Sequence, residues 1–408
     1  MVFLGTSIRA LRHRNFRLFF AGQLVALLGL YAQQTALSWF TYRVTQSASL
    51  LTSVIFVGQI PALIIMPLAG VAADRWNRRS ALMLLQAAYF ALLLFFAFVI
   101  WRGAARYRSL LVLNGVFGIL YAIDVPLRQA FTIETVGYST ADLGNAITLD
   151  SLLVTLGRAL APIAAGYLVH WRGEAVCFAL GAITCVCFFF LLLQMNIGPQ
   201  PAPTRQGDFF REMREGAAYA FVSKPIAALL LLCLVSGVAG LPYGALLPVF
   251  VRDVFHADAR LFGWLAGMPG IGAVVAAGYL ASIVPLQFAK TRIAVAALTF
   301  GLALICFALT RNIGIAMIAL LFTGAGTFIE LANANIVVQT LVAEEKRGRV
   351  VSLFVLGAIG ITPIGVLLAG KLAASFGAPL TVAAGGVVCV LATILYWHRM
   401  PRVTTTAT

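Results

Sequence analysis

Long apolar runs, separated by short polar and charged patches, recur along the whole chain. They place expected spans at 16–42, 48–72, 80–101, 109–133, 143–170 and 173–196, and a second set at 225–251, 260–284, 292–310, 313–340, 350–375 and 379–398. An α-helix crosses the hydrocarbon core of a bilayer with about 20 apolar residues. The pattern therefore predicts an all-α membrane protein with twelve transmembrane helices. Residues 197–224 interrupt the rhythm. Pro199, Pro201 and Pro203 make a stiff stretch. Phe209, Met213, Ala217 and Phe221 then share one face of a helix that carries Arg211 and Arg214 elsewhere, the pattern of a helix lying in the membrane interface. This reading gives a six-helix bundle over 1–196, a cytoplasmic linker with an amphipathic helix over 197–224, and a second six-helix bundle over 225–408.

Composition sharpens the picture. Hydrophobic residues make up 61% of the 408 and charged residues 11%, against roughly half and a quarter in ordinary globular chains. A soluble enzyme, a disordered chain and a secreted disulfide scaffold are excluded. Cys177, Cys185, Cys187, Cys233, Cys306 and Cys389 all lie in apolar stretches without metal-ligand spacing, so neither a metal nor a cofactor is expected. The formal charge of +15 would suggest nucleic acid in a soluble chain. Here it has a simpler source, because loops on the cytoplasmic side of a membrane are rich in Lys and Arg. With the N-terminus inside, eighteen of the 29 basic residues fall on the cytoplasmic side and nine on the other. Both termini are therefore expected in the cytoplasm, and no nucleic-acid partner is expected. The basic start (Arg9, Arg12, Arg14, Arg17) runs into a hydrophobic stretch too long for a signal peptide and reads as an uncleaved first span.

The halves echo each other. Asp124 and Glu330 stand 206 residues apart, Gly70 and Gly278 208, and Gly144 and Gly348 204. Similar offsets indicate a duplicated six-helix unit, the build of many secondary transporters.

An ionisable side chain at mid-span costs at least about 2.5 kcal/mol on insertion scales, so it faces a cavity or a partner. Five such residues are expected: Asp124 and Arg128 in span four, Asp150 and Arg158 in span five, and Glu330 in span ten. Asp124 and Arg128 are one turn apart and can pair; Arg128 can equally serve the acid of the loop described below. Asp150 and Arg158 are eight residues apart, roughly 12 Å along one helix, and must find other partners. A guanidinium suits phenolate, carboxylate or phosphate groups, which makes Arg158 a substrate-contact candidate, with a structural salt bridge as the alternative. Asp124, Glu330 and Asp150 are the candidates for carrying a coupling proton. Gln33 and Gln34 in span one, and Asn333 and Asn335 beyond Glu330, are candidate cavity groups, with interhelical hydrogen bonding as the other reading of the glutamines.

Between spans two and three the chain reads G-V-A-A-D-R-W-N-R-R-S-A-L at 70–82. Gly70 permits close helix packing, while Asp74, Arg75, Arg78 and Arg79 crowd a short loop that can form charge-assisted bonds in one of two packings. The spacing resembles the signature loop of the major facilitator superfamily, Gly-x-Leu-Ala-Asp-Arg-x-Gly-Arg-Lys-x-x-Leu. Asn77 replaces the second glycine, and Asn visits the left-handed region readily enough to keep a tight turn. The corresponding segment at 278–292 lacks the acid. L-R-H-R-N-F-R-L-F-F-A-G-Q-L at 11–24, T-A-L-S-W at 35–39, P-L-R-Q-A-F at 126–131 and E-K-R-G-R-V-V-S-L at 345–353 resemble the enterobactin-exporter and macrolide-efflux branch. The antiporter motif of span five, Gly-Pro-x-x-Gly-Gly in the family, reads A-P-I-A-A-G at 161–166.

The resemblance implies a bacterial inner-membrane protein that exports a small amphipathic molecule, a siderophore or drug, by alternating access driven by proton entry. Its expected partners are the lipid bilayer, a small-molecule substrate and protons, and a monomer is expected. An importer or uniporter of the same fold is the alternative within transport. A membrane-embedded enzyme would need a catalytic constellation, whereas His13, His170, His256 and His398 lie at span ends or in loops. A non-transporting receptor would leave the duplication unexplained.

Overall fold

The computed structural model describes residues 9–73, 76–137, 140–196, 223–281, 288–342 and 344–400. Among them, twelve helices are long and apolar enough to cross a membrane. They are α1 (Arg14–Thr45), α2 (Ala48–Ala73), α3 (Arg78–Trp101), α4 (Tyr107–Thr135), α5 (Thr140–Arg172), α6 (Glu174–Leu193), α7 (Pro225–Val254), α8 (Ala259–Ala281), α9 (Ala289–Leu309), α10 (Ile313–Leu341), α11 (Gly348–Phe376) and α12 (Ala378–Arg399). Each coincides with an expected span to within a few residues. The expected interfacial helix lies outside the described residues, apart from the last two positions of its segment.

Large apolar side chains such as Leu84, Val112, Ile183, Val275, Ile318 and Leu380 stand exposed, while alanines and polar residues are buried between helices. The exposed apolar surface is what lipid solvation requires, since hydrocarbon tails give Leu or Ile no reason to hide and helices associate through close packing, small residues and hydrogen bonds.

The connections repeat as well. Gly173 joins α5 to α6 at φ +81°, and Gly377 joins α11 to α12 at φ +84°; a β-carbon is disfavoured in that region. Gln46, between α1 and α2, and His256, between α7 and α8, are the described non-glycine residues with positive φ. The same two links are thus built alike in each half.

The chain divides into two compact units, Met1–Val44 with Val57–Arg205 and Thr45–Phe56 with Gln206–Thr408. In the first unit, Phe19 packs edge-on to Phe131 (ring centroids 5.2 Å) and against Phe188 (5.9 Å), within a cluster that includes Leu82, Leu85, Leu127 and Leu192. A short 3-10 turn, Arg9–Arg12, is tied to the start of α5: Arg9 and His13 reach Asp142 at 2.8 and 3.1 Å, and the Ala10 amide donates to Asn145.

In the second unit, α8 and α10 approach so closely that a β-carbon at Gly272 would overlap the Leu321 carbonyl, and one at Gly324 the backbone of Pro269. Here α7 and α11 are not uniform α-helices. Wide π-helical turns occupy Ser236–Gly240 and Phe250–Val254 in α7 and Leu356–Gly360 in α11. The first packs on the third, leaving Gly237 no room for a β-carbon beside the carbonyls of Gly357 and Ala358. The counterparts in the first unit, α1 and α5, run as unbroken α-helices, α5 passing straight through Pro162.

Candidate functional site

A cavity of about 660 Å³ lies within the first unit, walled by α1, α3, α4, α5 and α6. Three polar groups line it. At one, Asp150 of α5 accepts hydrogen bonds from Gln23 Nε2 (3.3 Å) and Thr132 Oγ1 (2.9 Å), residues of α1 and α4. At the second, Arg128 Nε donates to Asp124 Oδ2 at 2.6 Å, one helical turn away on α4. The same guanidinium lies 4.7 Å from the centroid of the Phe188 ring, a cation–π contact that helps hold it away from water. At the third, Arg158 of α5 donates to the Tyr31 hydroxyl at 3.3 Å and meets no carboxylate among the described residues. Tyr89, Phe117 and Tyr121 supply aromatic wall, with Tyr89 and Phe117 in ring contact at 5.3 Å.

The middle group is not saturated. Asp124 Oδ1, Arg128 Nη1, Gln86 Nε2 and the Tyr89 hydroxyl are all buried without a hydrogen-bond partner among the described residues, and all four residues line the cavity. Orphaned buried polar atoms are costly, about 1–3 kcal/mol each, and rare enough that each asks for a reason.

Of the residues singled out from the sequence, Asp124, Arg128, Asp150, Arg158 and Gln33 share this cavity. Others do not. Gln34 is exposed and off its wall. Asn333 and Asn335 do not line this cavity: both belong to the second unit, where Asn333 is buried and spends its amide on the Ile329 carbonyl at 2.8 Å, while Asn335 accepts from Gln339 at 3.0 Å. Arg128, grouped by its sequence with the gating loop, is a wall residue paired with Asp124. Sequence reasoning missed Gln86 and Tyr89, although Gln86 is the lone amide in the apolar run of α3 and such a residue needs a partner or a cavity. Gln23, Thr132 and Tyr31 gave no comparable signal.

Of the loop group, Gly70 falls in the last turn of α2, and Asp74 and Arg75 lie outside the described residues. Arg78 is buried and bonds Glu134 at the end of α4 at 2.6 Å. Arg79 grips the end of α6, donating at 2.8 Å to each of the carbonyls of Leu192 and Leu193. Asn77 corrects an expectation. Its φ of −65° is not left-handed; its side chain instead accepts from the Ser80 amide and caps the start of α3.

In the second unit, Glu330 is fully buried and its Oε1 accepts a 2.7 Å hydrogen bond from Ser236, at the start of the first π-helical turn of α7. Glu330 Oε2 has no partner, and no basic side chain meets this carboxyl among the described residues. Asp124 and Glu330 both stand seventeen residues into 29-residue helices, so the two acids share a register but not an environment.

Residues 5–407 match the model of the family described as transmembrane secretion effector. The chain belongs to that family. This places it among the transporters of the major facilitator superfamily and not among enzymes. The transmembrane secretion effector chain is 23% identical over 392 residues to the staphyloferrin A transporter of Staphylococcus aureus, covering 93% of this chain and 94% of that one. It is 23% identical over 349 residues to the multidrug efflux pump Tap of Mycolicibacterium fortuitum, covering 84% and 85%. It is 27% identical over 256 residues to macrolide efflux protein A of Streptococcus pyogenes, covering 60% and 62%. Among solved structures, the nucleoside transporter NupG superposes with a TM-score of 0.76 at 12% identity, over 95% of this chain and 99% of that one. A bacterial homologue of the human lysosomal transporter Spinster, inward-facing and occupied, gives 0.74 at 17% identity over 97% and 99%. These likenesses show the same fold.

Proposed function

We propose that this transporter exports a small amphipathic molecule from the cytoplasm in exchange for protons, by alternating access. It acts as a monomer in a bacterial plasma membrane, with both termini in the cytoplasm and the units 1–196 and 225–408 as its two bundles. The substrate occupies the cavity of the first unit, and Glu330 in the second carries the coupling proton. Relatives named for siderophore transport and for multidrug and macrolide efflux support the direction and the substrate type.

One observation favours Glu330 over the other acids. Asp124 would have to give up its 2.6 Å bond to Arg128 to change charge, and Asp150 already serves two donors from neighbouring helices. Among the described residues Glu330 has a single, neutral partner and one oxygen without any, so it can gain and lose a proton without breaking an ion pair. One charge crossing about 150 mV supplies about 3.4 kcal/mol, enough for a roughly 300-fold gradient. A single carboxyl suffices.

The test uses purified full-length protein in liposomes with an imposed proton gradient, offered a macrolide and staphyloferrin A in separate assays. Glu330→Gln is expected to abolish gradient-driven accumulation while leaving downhill exchange intact. Uphill transport by Glu330→Gln at the wild-type level removes Glu330 from the coupling role. Exchange requires accumulation in the lumen to follow proton exit from it; accumulation that follows proton entry would make the coupling symport and overturn the exchange reading.

A further inference from the structure

The three polar groups of the first-unit cavity differ in charge, and the placement of two of them along α5 carries information about the ligand. Arg128 and Asp124 neutralise one another at 2.6 Å. What remains is Arg158 and Asp150, whose side-chain partners among the described residues are neutral: the Tyr31 hydroxyl for the first, Gln23 and Thr132 for the second. These two residues lie eight positions apart on one unbroken helix, roughly 12 Å along its axis. The cavity thus has a cationic end and an anionic end, with no countercharge at hydrogen-bond distance from either among the described residues.

Each end has capacity to spare. A guanidinium offers five N–H donors, and Arg158 spends one on Tyr31 and stays exposed. A carboxylate accepts about four hydrogen bonds, and Asp150 receives two. The same cavity wall carries the rings of Tyr31, Tyr89, Phe117 and Tyr121 and the unsaturated donors and acceptor of Gln86, Tyr89, Arg128 and Asp124. A simple anion would leave Asp150 without a directly bonded cation, and a simple cation would leave Arg158 without a directly bonded anion.

We infer that the cavity selects a dipolar amphiphile, a flat apolar or aromatic body with an acidic group at one end and an ammonium group at the other, spaced to reach Arg158 and Asp150 together. Resting on the reading of this cavity as the substrate site, the inference concerns recognition alone, so binding measured without any gradient tests it whether or not transport is proton-coupled.

A rigid probe matches the span: 4′-(aminomethyl)biphenyl-4-carboxylate, compared with biphenyl-4-carboxylate and biphenyl-4-ylmethylammonium, each titrated calorimetrically into the full chain in nanodiscs. The wild type is expected to bind the zwitterion at least tenfold more tightly than either singly charged probe. Arg158→Gln should lower zwitterion affinity to that of the ammonium probe and leave the ammonium probe unaffected. Asp150→Asn should lower it to that of the carboxylate probe and leave that probe unaffected. The shorter 4-(aminomethyl)benzoate, unable to reach both ends, should bind no better than the singly charged compounds. Equal affinity of the wild type for all three biphenyls, no measurable zwitterion binding, or uniform weakening of every probe in both variants would each overturn the assignment. The last would mean that Arg158 and Asp150 only hold the fold.

Discussion

Ser236 donates a 2.7 Å hydrogen bond to Glu330 where a π-helical turn opens α7 opposite α10, and both side chains are buried. A π turn inserts an extra residue and re-aims the side chains around it, which is why such turns recur at functional sites. In this helix the turn starts at the residue that holds the acid. Removing the hydroxyl strands a buried carboxyl, a loss of about 1–3 kcal/mol. Ser236→Ala is therefore expected to lower the unfolding midpoint of the purified protein when Glu330 is present, and to have little effect in a Glu330→Leu background. A double-mutant cycle in detergent measures the difference. Equal losses in both backgrounds would show that Ser236 matters for packing and not for the acid.

The Asp124–Arg128 pair is expected to behave as structure, not as a proton carrier. Cutting one partner from a buried pair leaves an uncompensated charge and costs about 3–5 kcal/mol, whereas replacing both by apolar residues of similar size is often neutral. Asp124→Leu and Arg128→Met should each reduce the yield of folded protein, and the double variant should recover most of it. Because the pair lines the cavity, substrate affinity will change in the double variant, but proton coupling should persist. Loss of coupling in a well-folded double variant would return Asp124 to the list of proton carriers.

The twelve spans were legible because their signal is long and redundant: about 20 apolar residues each, bounded by charges. The duplication was legible too, and Asp124 and Glu330 do share a register. Their environments were not, because the partner of Glu330 is a serine 94 residues away, and serines are too common in spans for one to stand out. Gln33 and Gln34 could not be told apart for a related reason. Polar residues one or two positions apart point to different sides of a helix, so Gln33 reaches the cavity wall while Gln34 does not. Gln86 and Tyr89 were readable in principle, as polar positions three apart on one face of an otherwise apolar span.

Close backbone crossings make a prediction with opposite signs. At Gly272 and Gly324 a β-carbon would overlap carbonyl groups of the facing helix, atoms that cannot swing aside. Gly324→Ala should separate α8 from α10 and destabilise by about 1–3 kcal/mol, the usual cost of overpacking. Gly144, inside α5, has nothing within 4 Å of such a carbon. There Gly→Ala removes backbone freedom from the unfolded chain and should stabilise by about 0.5–1 kcal/mol. Thermal unfolding of both variants in the same detergent is the check, and shifts of the same sign would refute the packing argument.

Arg79 tests whether the first turn of α3 also caps a neighbouring helix. The last carbonyls of an α-helix have no partners within the helix, and Arg79 supplies two donors at 2.8 Å to those of Leu192 and Leu193. A lysine carries the same charge but cannot present two fixed, parallel N–H groups. If the role were only to keep a positive charge on this side of the membrane, Arg79→Lys would be silent. The geometry instead calls for fraying of the last turn of α6 in both Arg79→Lys and Arg79→Ala, with stability lower by about 1 kcal/mol. Hydrogen exchange followed by mass spectrometry should show faster amide exchange in peptides covering 188–196 in both variants, with Leu153 and its neighbours in α5 unchanged as the internal reference. Wild-type exchange in Arg79→Lys would reduce this residue to a topological charge.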